Sequence, residues 1–401
     1  MSEHRNDAST VRRRDFLKTA GAGLTASGLL MTAPERARAQ GAADKARYDR
    51  IASCTWPIRQ LFKTRGGSGR GNAPLSLRAG AVAPPSPGAP STPANRDRTT
   101  TADMKQKYGE ITMLDFPQWT KDNFPGVTRM DLFSGLFGDV ADDTMFMTAA
   151  EGSGGGAGFN PASPSGRKWL DQLAGVLVKT GTKVQHISNN APFGLADYGS
   201  AEADARRKAG VAMAKRWLEG CAVLGVRSMR MNSPSALGPE IRPNATANGG
   251  DGYPRNLEIV ALMNAAIESY KEMADFGGNL GIKVTFENHW GLAADPMNIR
   301  IMLDTINHPY CEASPDFCNW EHEYMLFNGL KALAPYSSSN VHAKYWDRWG
   351  DKNDVQRSVR IMLAGGFKGT FALEYEAGPL NGFEGAKYLY KEVLAALAAP
   401  L

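Results

Sequence analysis

The stretch IKVTFENHW, residues 282–290, joins two patterns that decide the fold. Its first half alternates apolar and polar residues, which is typical of a β-strand with a buried face. Its second half turns polar at once, with Glu287, Asn288 and His289 in succession. An unpaired charge is costly at the end of a buried strand. The pattern therefore predicts a strand that carries a carboxylate and an imidazole to the rim of a site.

Similar strand-like runs recur along the chain, with helical periodicity between them. The strand-like runs are residues 51–58, 127–133, 183–188, 226–232, 282–288, 311–316, 338–344 and 369–375. The helical segments are residues 115–124, 166–180, 201–224, 256–278, 295–306, 321–334, 353–364 and 383–398. This alternation predicts an α/β protein with a single (β/α)8 TIM barrel. An open doubly wound sheet is the alternative, but no glycine-rich phosphate loop follows the first strand.

Three segments rich in glycine and proline interrupt this pattern, at residues 64–100, 151–166 and 243–254. They contain few large apolar side chains whose burial could offset the entropy lost on ordering the backbone. We therefore expect long loop insertions in one barrel domain that spans residues 40–401. The longest insertion, residues 64–100, is expected to be mobile.

The first 39 residues have the features of an export signal that the mature protein lacks. Residues 11–18, VRRRDFLK, precede a weakly apolar stretch at 20–31, and residues 37–39, Ala-Arg-Ala, offer small side chains to a signal peptidase. This order resembles a twin-arginine signal cleaved after Ala39. The apolar stretch is too short to span a bilayer. We therefore expect the twin-arginine export machinery to deliver a periplasmic or otherwise exported protein without a membrane span.

The net charge of the predicted mature chain indicates which classes of partner to expect. Removing residues 1–39 takes away seven of the 46 basic and four of the 41 acidic side chains, which leaves a net charge of about +2. Such a net charge gives no sign of a nucleic-acid partner.

A chain of this length does not need disulfides, so we expect buried free thiols. The cysteines are Cys54, Cys221, Cys311 and Cys318.

Four candidate metal ligands end four successive predicted strands: Glu287, Asp316, His342 and Glu374. Active sites of such barrels lie at the carboxyl ends of the strands, so these side chains should share one rim. One of them alone would usually be a helix cap or a solvated turn residue, whereas four in succession predict a site. Three carboxylates and one imidazole suit Mn²⁺, Mg²⁺ or Co²⁺, with Zn²⁺ as a further candidate.

The sequences around these residues resemble, in order, the xylose isomerase-like barrel family: TFENH, SPDFCNW, NVHAKYWD and FALEYEAG. That family contains sugar and sugar-phosphate isomerases and epimerases, with AP endonucleases as relatives. The resemblance implies one divalent metal ion, with Mn²⁺ favoured, held by Glu287, Asp316, His342 and Glu374. In the ketose 3-epimerase branch the two glutamates also act as acid and base, which implies this role for Glu287 and Glu374.

The resemblance to the ketose 3-epimerase branch also implies one substrate contact. At two other positions this chain differs from that branch. An arginine follows the metal histidine by six residues, and Arg348 holds that position here. Asn319 stands where the branch has a histidine, and Ala293 stands where it has a further glutamate. Metal chemistry is therefore better supported than 3-epimerisation of a free ketose.

Other side chains near the predicted rim are candidates for binding substrate hydroxyl groups. Trp56 would stack on a sugar ring or pack in the core. Lys344 shares a strand face with His342, and His289 is placed to support Glu287. The remaining candidates are His186, Asn189, Asn190, Arg230, Asn232 and Asn319.

Together these features predict an exported, metal-dependent isomerase or epimerase of a non-phosphorylated sugar or sugar derivative, working through an enediolate-type intermediate. A lyase or hydrolase that cleaves keto-glycosides by β-elimination would use the same chemistry, and it would release an aglycone. A DNA-repair enzyme is disfavoured because the endonuclease relatives hold several zinc ions with many histidines, and this chain has six. A non-catalytic sugar-binding protein would not need four converging metal ligands.

Overall fold

The computed structural model describes residues 33–64, 95–147, 158–189, 201–231, 259–289, 291–320 and 322–400. The chain divides into a short N-terminal unit, Met1–Ala46, and a large unit, Arg47–Leu401. The described part of the short unit belongs to helix α1 (Ala33–Tyr48). The export signal of residues 1–39 and its cleavage site stay predictions.

The large unit is built on one sheet of eight strands. They are β1 (Ile51–Cys54), β2 (Arg129–Phe133), β3 (Lys183–Ser188), β4 (Ser228–Arg230), β5 (Lys283–Phe286), β6 (Cys311–Ala313), β7 (Asn340–Trp346) and β8 (Thr370–Ala377). They pair in the order β6-β5-β4-β3-β2-β1-β8-β7, and every pair is parallel. A parallel bridge between Asp316 and His342 brings the two ends of this order together. The predicted (β/α)8 barrel is thereby confirmed.

Helices lie between the strands and after the last strand, most of them at the predicted places. They are α2 (Thr101–Tyr108), α3 (Phe116–Asn123), α4 (Pro164–Thr180), α5 (Ala201–Cys221), α6 (Ile259–Asn279), α7 (Pro296–Ile306), α8 (Met325–Leu333), α9 (Val355–Ala364) and α10 (Gly382–Ala398). Helices α3 to α10 match predicted segments, whereas α2 has no predicted counterpart. It begins with a capping box, in which the Thr100 hydroxyl accepts from the Asp103 backbone N–H and the Asp103 carboxylate accepts from the Thr100 backbone N–H.

The predicted insertions lie largely outside the described residues, which exclude 65–94, 148–157 and 232–258. The mobility of residues 64–100 therefore stays a prediction. At the end of that segment, Arg96 is buried and donates from Nε to Oδ2 of Asp347 at 2.7 Å, as one half of a two-point ion pair. This ion pair fixes the chain just before α2.

Side chains between the sheet and the helices are mainly apolar, whereas the barrel interior contains several buried polar and charged side chains. Leu389 and Val393 of α10, which packs against β8, are fully buried. Burial of each such side chain stabilises the fold by about 1.5–3 kcal/mol. By contrast Asp131, His186 and His342, on β2, β3 and β7, have no exposed surface. Buried charges need partners, so the interior of the barrel contains a polar network.

The four cysteines are free thiols, as expected, and three of them are buried. Burial raises the pKa of Cys221 above its ordinary value, so this thiol is protonated at neutral pH. Among the residues that the structure describes, no helix is long and apolar enough to cross a membrane.

Candidate metal and substrate site

The four predicted ligands converge at the carboxyl ends of strands β5 to β8. Glu287 directly follows β5 and Asp316 lies three residues beyond β6. His342 and Glu374 lie inside β7 and β8, which run further than the sequence predicts. All four side chains are buried. Single side-chain atoms of Glu287, Asp316 and His342 all lie within 4.8 Å of one another, a spacing that one metal ion can bridge.

One ring nitrogen of His342 faces two carboxylates. Its Nδ1 lies 3.3 Å from Oε2 of Glu287 and 3.3 Å from Oε2 of Glu374. Nδ1 is buried, and no described residue forms a hydrogen bond with it. A buried polar atom without a partner costs free energy. A divalent cation that binds Nδ1 and the carboxylate oxygens would satisfy these atoms together, so the residues fit a metal ion.

The other ring nitrogen of His342 is held by Asp131, which the sequence analysis did not single out. Oδ2 of Asp131 lies 2.9 Å from Nε2 of His342 and accepts from Nδ2 of Asn340 at 2.9 Å. Oδ1 accepts from the Ser188 hydroxyl at 2.9 Å. A proton shared between Nε2 and this carboxylate leaves the lone pair on Nδ1, as a metal ligand requires. Asp131 therefore orients His342.

Two of the carboxylates lie in different electrostatic surroundings. Burial would raise the pKa of Glu287, but the paired guanidinium of Arg230 and then His342 outweigh it and hold this pKa well below its ordinary value. Burial raises the pKa of Asp316 to about 7 in spite of Lys344, and other carboxylates add to the rise. Glu287 is thus a carboxylate that can accept a proton at neutral pH. At Asp316 the neighbouring cations compensate the negative charge of the carboxylate only in part.

Asn319 connects two of the ligands. Its Nδ2 donates to Oε1 of Glu287 and to Oδ2 of Asp316, each at 3.0 Å, and its backbone N–H donates to Oδ1 of Asp316 at 3.1 Å. Its Oδ1 accepts from Nζ of Lys344 at 3.1 Å. The side chain thus orients the ligands, and its contact with substrate stays a prediction.

Lys344 joins the ligands to a neighbouring group of side chains. Its Nζ lies 3.2 Å from Oδ2 of Asp316, 2.9 Å from Oε1 of Glu374 and 3.2 Å from Oε2 of Glu376. Burial disfavours the ammonium, but these three carboxylates outweigh it and raise the pKa of Lys344 well above its ordinary value. Oε2 of Glu376 also accepts from Nε1 of Trp56 at 2.8 Å. The site therefore contains a fixed cation beside the ligands.

The half-buried ring of Trp56 is held between two side chains. The Arg59 guanidinium lies 3.8 Å from its centroid, and Phe133 packs edge-on at 5.0 Å. Arg59 also lies 3.9 Å from Glu376. Neither Arg59 nor Glu376 is among the predicted site residues. Glu376 could have been found, because it follows Glu374 by two residues and alternation places both on one strand face.

The other predicted residues take different positions. Nδ1 of His186 lies 2.7 Å from the Ser228 hydroxyl, and its ring centroid is 6.1 Å from that of His342. The guanidinium of Arg348 lies over the rings of Trp346 and Trp349, at 5.3 and 4.7 Å. Its contact with substrate stays a prediction.

The remaining candidates lie close to the ligands or outside the described residues. His289 is half-buried, and burial lowers its pKa to about 4, so it is neutral beside Glu287 at neutral pH. Asn189 is buried, with Nδ2 at 3.8 Å from Sδ of Met231. Asn190 and Asn232 lie outside the residues that the structure describes.

Solved structures with a similar fold include an epimerase of an oxidised sugar. The apo form of 3-keto-D-glucoside 4-epimerase from E. coli has a TM-score of 0.50 and 12% identity, with 70% of this chain and 94% of that chain covered. A xylose isomerase domain protein from Alicyclobacillus acidocaldarius has a TM-score of 0.47 and 15% identity, covering 72% and 96%. D-psicose 3-epimerase has a TM-score of 0.47 and 11% identity, covering 73% and 95%. At sequence identities this low, the similarity to these structures shows a shared fold only.

The family comparison covers the region of the converging ligands. Residues 149–398, more than half of the chain, match the model described as xylose isomerase-like TIM barrel, and this range includes all four predicted ligands. A comparison with curated protein sequences gives no match. The chain therefore belongs to the xylose isomerase-like TIM barrel family.

Proposed function

We propose that this protein is a divalent-metal-dependent isomerase or epimerase of a non-phosphorylated sugar or sugar derivative. The observation that carries the proposal is the buried Nδ1 of His342, which faces the carboxylates of Glu287 and Glu374 and has no hydrogen-bond partner among the described residues. Asp316 adds a third carboxylate. Mainly oxygen ligands with one imidazole favour Mn²⁺, with Mg²⁺, Co²⁺ or Zn²⁺ as alternatives.

Glu287 and Glu374 are the proposed proton carriers. The bound ion would polarise a substrate carbonyl and so acidify the neighbouring C–H group. Arg230 keeps Glu287 ionised, and Asn319 fixes its Oε1, so this carboxylate is in the deprotonated form that a base requires. Glu374 comes from a different strand and is fixed through Oε1 by Lys344. Two carboxylates on different strands allow a proton to be removed by one and returned by the other.

Lys344 has a separate proposed role as a fixed positive charge. Its ammonium is buried, contacts Asp316 and Glu374, and has a pKa well above its ordinary value, so it stays charged. A preorganised cation stabilises negative charge that develops on a substrate oxygen during proton removal. We therefore assign Lys344 to oxyanion stabilisation rather than to proton transfer.

Several features favour a sugar as the substrate. Carboxylate, amide and ammonium groups around the ligands can bind hydroxyl groups, and the half-buried Trp56 provides an aromatic surface near Glu376. We further propose export by the twin-arginine machinery, on the strength of the arginine pair and small-residue cleavage motif within residues 11–39. An exported enzyme is expected to meet free sugars, sugar acids or keto-glycosides rather than sugar phosphates. Cell fractionation of wild type and of Arg13→Lys/Arg14→Lys tests this, with export expected to fail only in the variant.

Hydrogen exchange with solvent tests the proposed reaction. The Mn²⁺-loaded protein is incubated in ²H₂O with free aldoses, free ketoses and 3-keto-glycosides, and the products are read by NMR. We expect a product of unchanged carbon skeleton with deuterium at the carbon next to the carbonyl. Glu374→Gln should lower the rate by about 10²- to 10⁴-fold, while the matched carboxylate variant Glu392→Gln on α10 should not.

Two outcomes of this experiment would contradict the proposal. Product formation without solvent deuterium would exclude proton transfer through the two glutamates. Release of an aglycone from a keto-glycoside, with no isomer formed, would identify a lyase instead.

A further inference from the structure

The N-terminal mouth of the barrel is a concave space of about 650 Å³, at the end of the strands opposite to the metal ligands. All eight strands contribute to its lining, with residues that begin, immediately precede or lie near the start of each strand. The mouth is therefore a cavity on the barrel axis, formed wholly by described residues. Its volume falls within the range of about 300–1,000 Å³ typical of small-molecule sites.

Positive charge dominates this mouth. The basic lining residues are Arg50, Arg129, Arg227, Lys283 and Lys368. Asp49 is the acidic residue of the lining and lies 3.9 Å from Nε of Arg129. Outside the lining, Glu312 pairs with Lys283 at 2.7 Å. Two nearby carboxylates thus face five cations, which leaves an excess of positive charge around one cavity.

Two of these cations are fixed by neutral groups. Arg50 donates from Nε to the carbonyl of Gly369 at 2.6 Å and from Nη2 to that of Phe367 at 2.8 Å. Burial lowers the pKa of the Arg50 guanidinium below its ordinary value. Arg129 donates from Nη1 to Oε1 of the buried Gln185 at 2.8 Å, while its own Nε is buried and forms no hydrogen bond with any described residue. These contacts orient the guanidinium groups without neutralising them.

We propose that the N-terminal mouth binds a small anion that carries two or more phosphate or carboxylate groups. A concave surface with charges of one sign focuses the electrostatic field and attracts a ligand of the opposite sign. Guanidinium groups bind phosphate and carboxylate through paired, charge-assisted hydrogen bonds. Several cations around one cavity favour a multiply charged anion over a singly charged one. This site is separate from the metal ligands and does not depend on the proposed reaction.

Calorimetric titration of the full-length, metal-loaded protein tests this inference with two probes. The probes are propane-1,2,3-tricarboxylate and propane-1,3-diyl bisphosphate, and methyl phosphate is the comparison that carries a single phosphate group. We expect saturable binding of about one multivalent anion per chain, weakened by added salt, and no saturable binding of methyl phosphate. Arg129→Gln/Arg227→Gln should weaken binding at least about tenfold. Lys105→Gln/Lys107→Gln on α2, which removes the same charge elsewhere, should change it less than about twofold.

Two further single variants separate loss of anion binding from loss of the fold and from effects of the metal site. Arg227 is exposed, so Arg227→Gln alone should leave the fold intact and still weaken binding. His342→Ala should bind the probes like wild type, because the mouth lies at the other end of the barrel. Absence of saturable binding in wild type, equal loss in the α2 control, or loss of binding in His342→Ala would overturn the inference.

Discussion

Asp131 on β2 and His342 on β7 are separated in the sheet by β1 and β8, and they meet in a contact of 2.9 Å between Oδ2 and Nε2. Neither residue has any exposed surface. Because this contact favours a proton on Nε2, the neutral imidazole would present its lone pair from Nδ1, which faces Glu287 and Glu374. The orientation of the proposed metal ligand His342 thus depends on a carboxylate more than 200 positions away in the sequence.

Asp131→Asn should weaken metal binding without unfolding the protein. The amide keeps the shape of the carboxylate, but it no longer fixes the proton on Nε2 of His342. Loss of such a supporting carboxylate typically costs about 10- to 100-fold in metal affinity. Titration with Mn²⁺ gives the dissociation constant, and circular dichroism checks the fold. Ser188→Ala removes a donor to Asp131 and a 3.3 Å contact with Nε2 of His342 but keeps the carboxylate, so it serves as the milder variant. Equal affinity in wild type and Asp131→Asn would refute the role of Asp131.

Glu376→Gln should affect substrate binding more than metal binding. Its carboxylate contacts Lys344 and Trp56 but is not among the converging ligands. Hydrogen bonds to charged groups are worth about 1.5–3 kcal/mol, so KM should rise about tenfold or more while metal content is unchanged. Kinetics with a substrate found by the exchange screen, together with metal analysis, measures both effects. Loss of metal in this variant would show that Glu376 belongs to the metal site.

Arg96→Ala should destabilise the fold because it leaves the charge of Asp347 buried and unpaired. Both side chains are almost fully buried, at 7% and 4% exposure. Removal of one partner from such a pair typically costs about 3–5 kcal/mol. The double variant Arg96→Met/Asp347→Leu should recover a large part of this loss, since it removes both charges. Denaturant unfolding of wild type, Arg96→Met, Asp347→Leu and the double variant gives the coupling energy, and additive effects would show that the two residues do not interact.

His186 should make the fold less stable in mild acid. Burial lowers its pKa to about 4 from an ordinary value of 6.5, and Nε2 has no hydrogen-bond partner among the described residues. Below pH 6.5 the imidazole of His186 is therefore protonated in the unfolded chain, whereas it stays neutral in the folded protein until the pH approaches 4. The contribution of neutral His186 to the free energy of unfolding is fully present above about pH 6.5. It is lost as the pH falls toward 4, and its size is on the order of 3 kcal/mol.

The pH dependence of unfolding of His186→Gln measures this contribution. Between pH 6.5 and 4 the variant should show a shallower decrease in the free energy of unfolding than wild type. The exposed His322→Gln is the matched control. Identical slopes in wild type and His186→Gln would contradict a neutral, buried His186.

The barrel and the convergence of Glu287, Asp316, His342 and Glu374 could be predicted because both leave local signals in the sequence. Alternating apolar residues give strands, and a charge at the end of such a run is conspicuous, as at Glu287. Helix α2 also left a signal, the spacing of Thr100 and Asp103, but its position next to the long glycine- and proline-rich segment obscured it.

The supporting contacts could not be predicted because they join residues distant in sequence. Asp131 stands in an apolar strand, which marks it as unusual, but only the closed barrel brings it to His342. The ion pair of Arg96 and Asp347 also depends on chain packing that periodicity does not encode. The cationic mouth is a further example, since its five basic residues are single, unremarkable positions before or at the start of separate strands.

The most direct test of the central claim is the metal content of wild type, Glu287→Gln and His342→Ala, measured by mass spectrometry. We expect about one divalent ion per wild-type chain, Mn²⁺ by preference, and loss of that ion in both variants while circular dichroism is unchanged. Glu392→Gln should retain the metal. A wild-type protein that holds no metal after reconstitution, or variants that retain it in full, would contradict a metal site formed by Glu287, Asp316, His342 and Glu374.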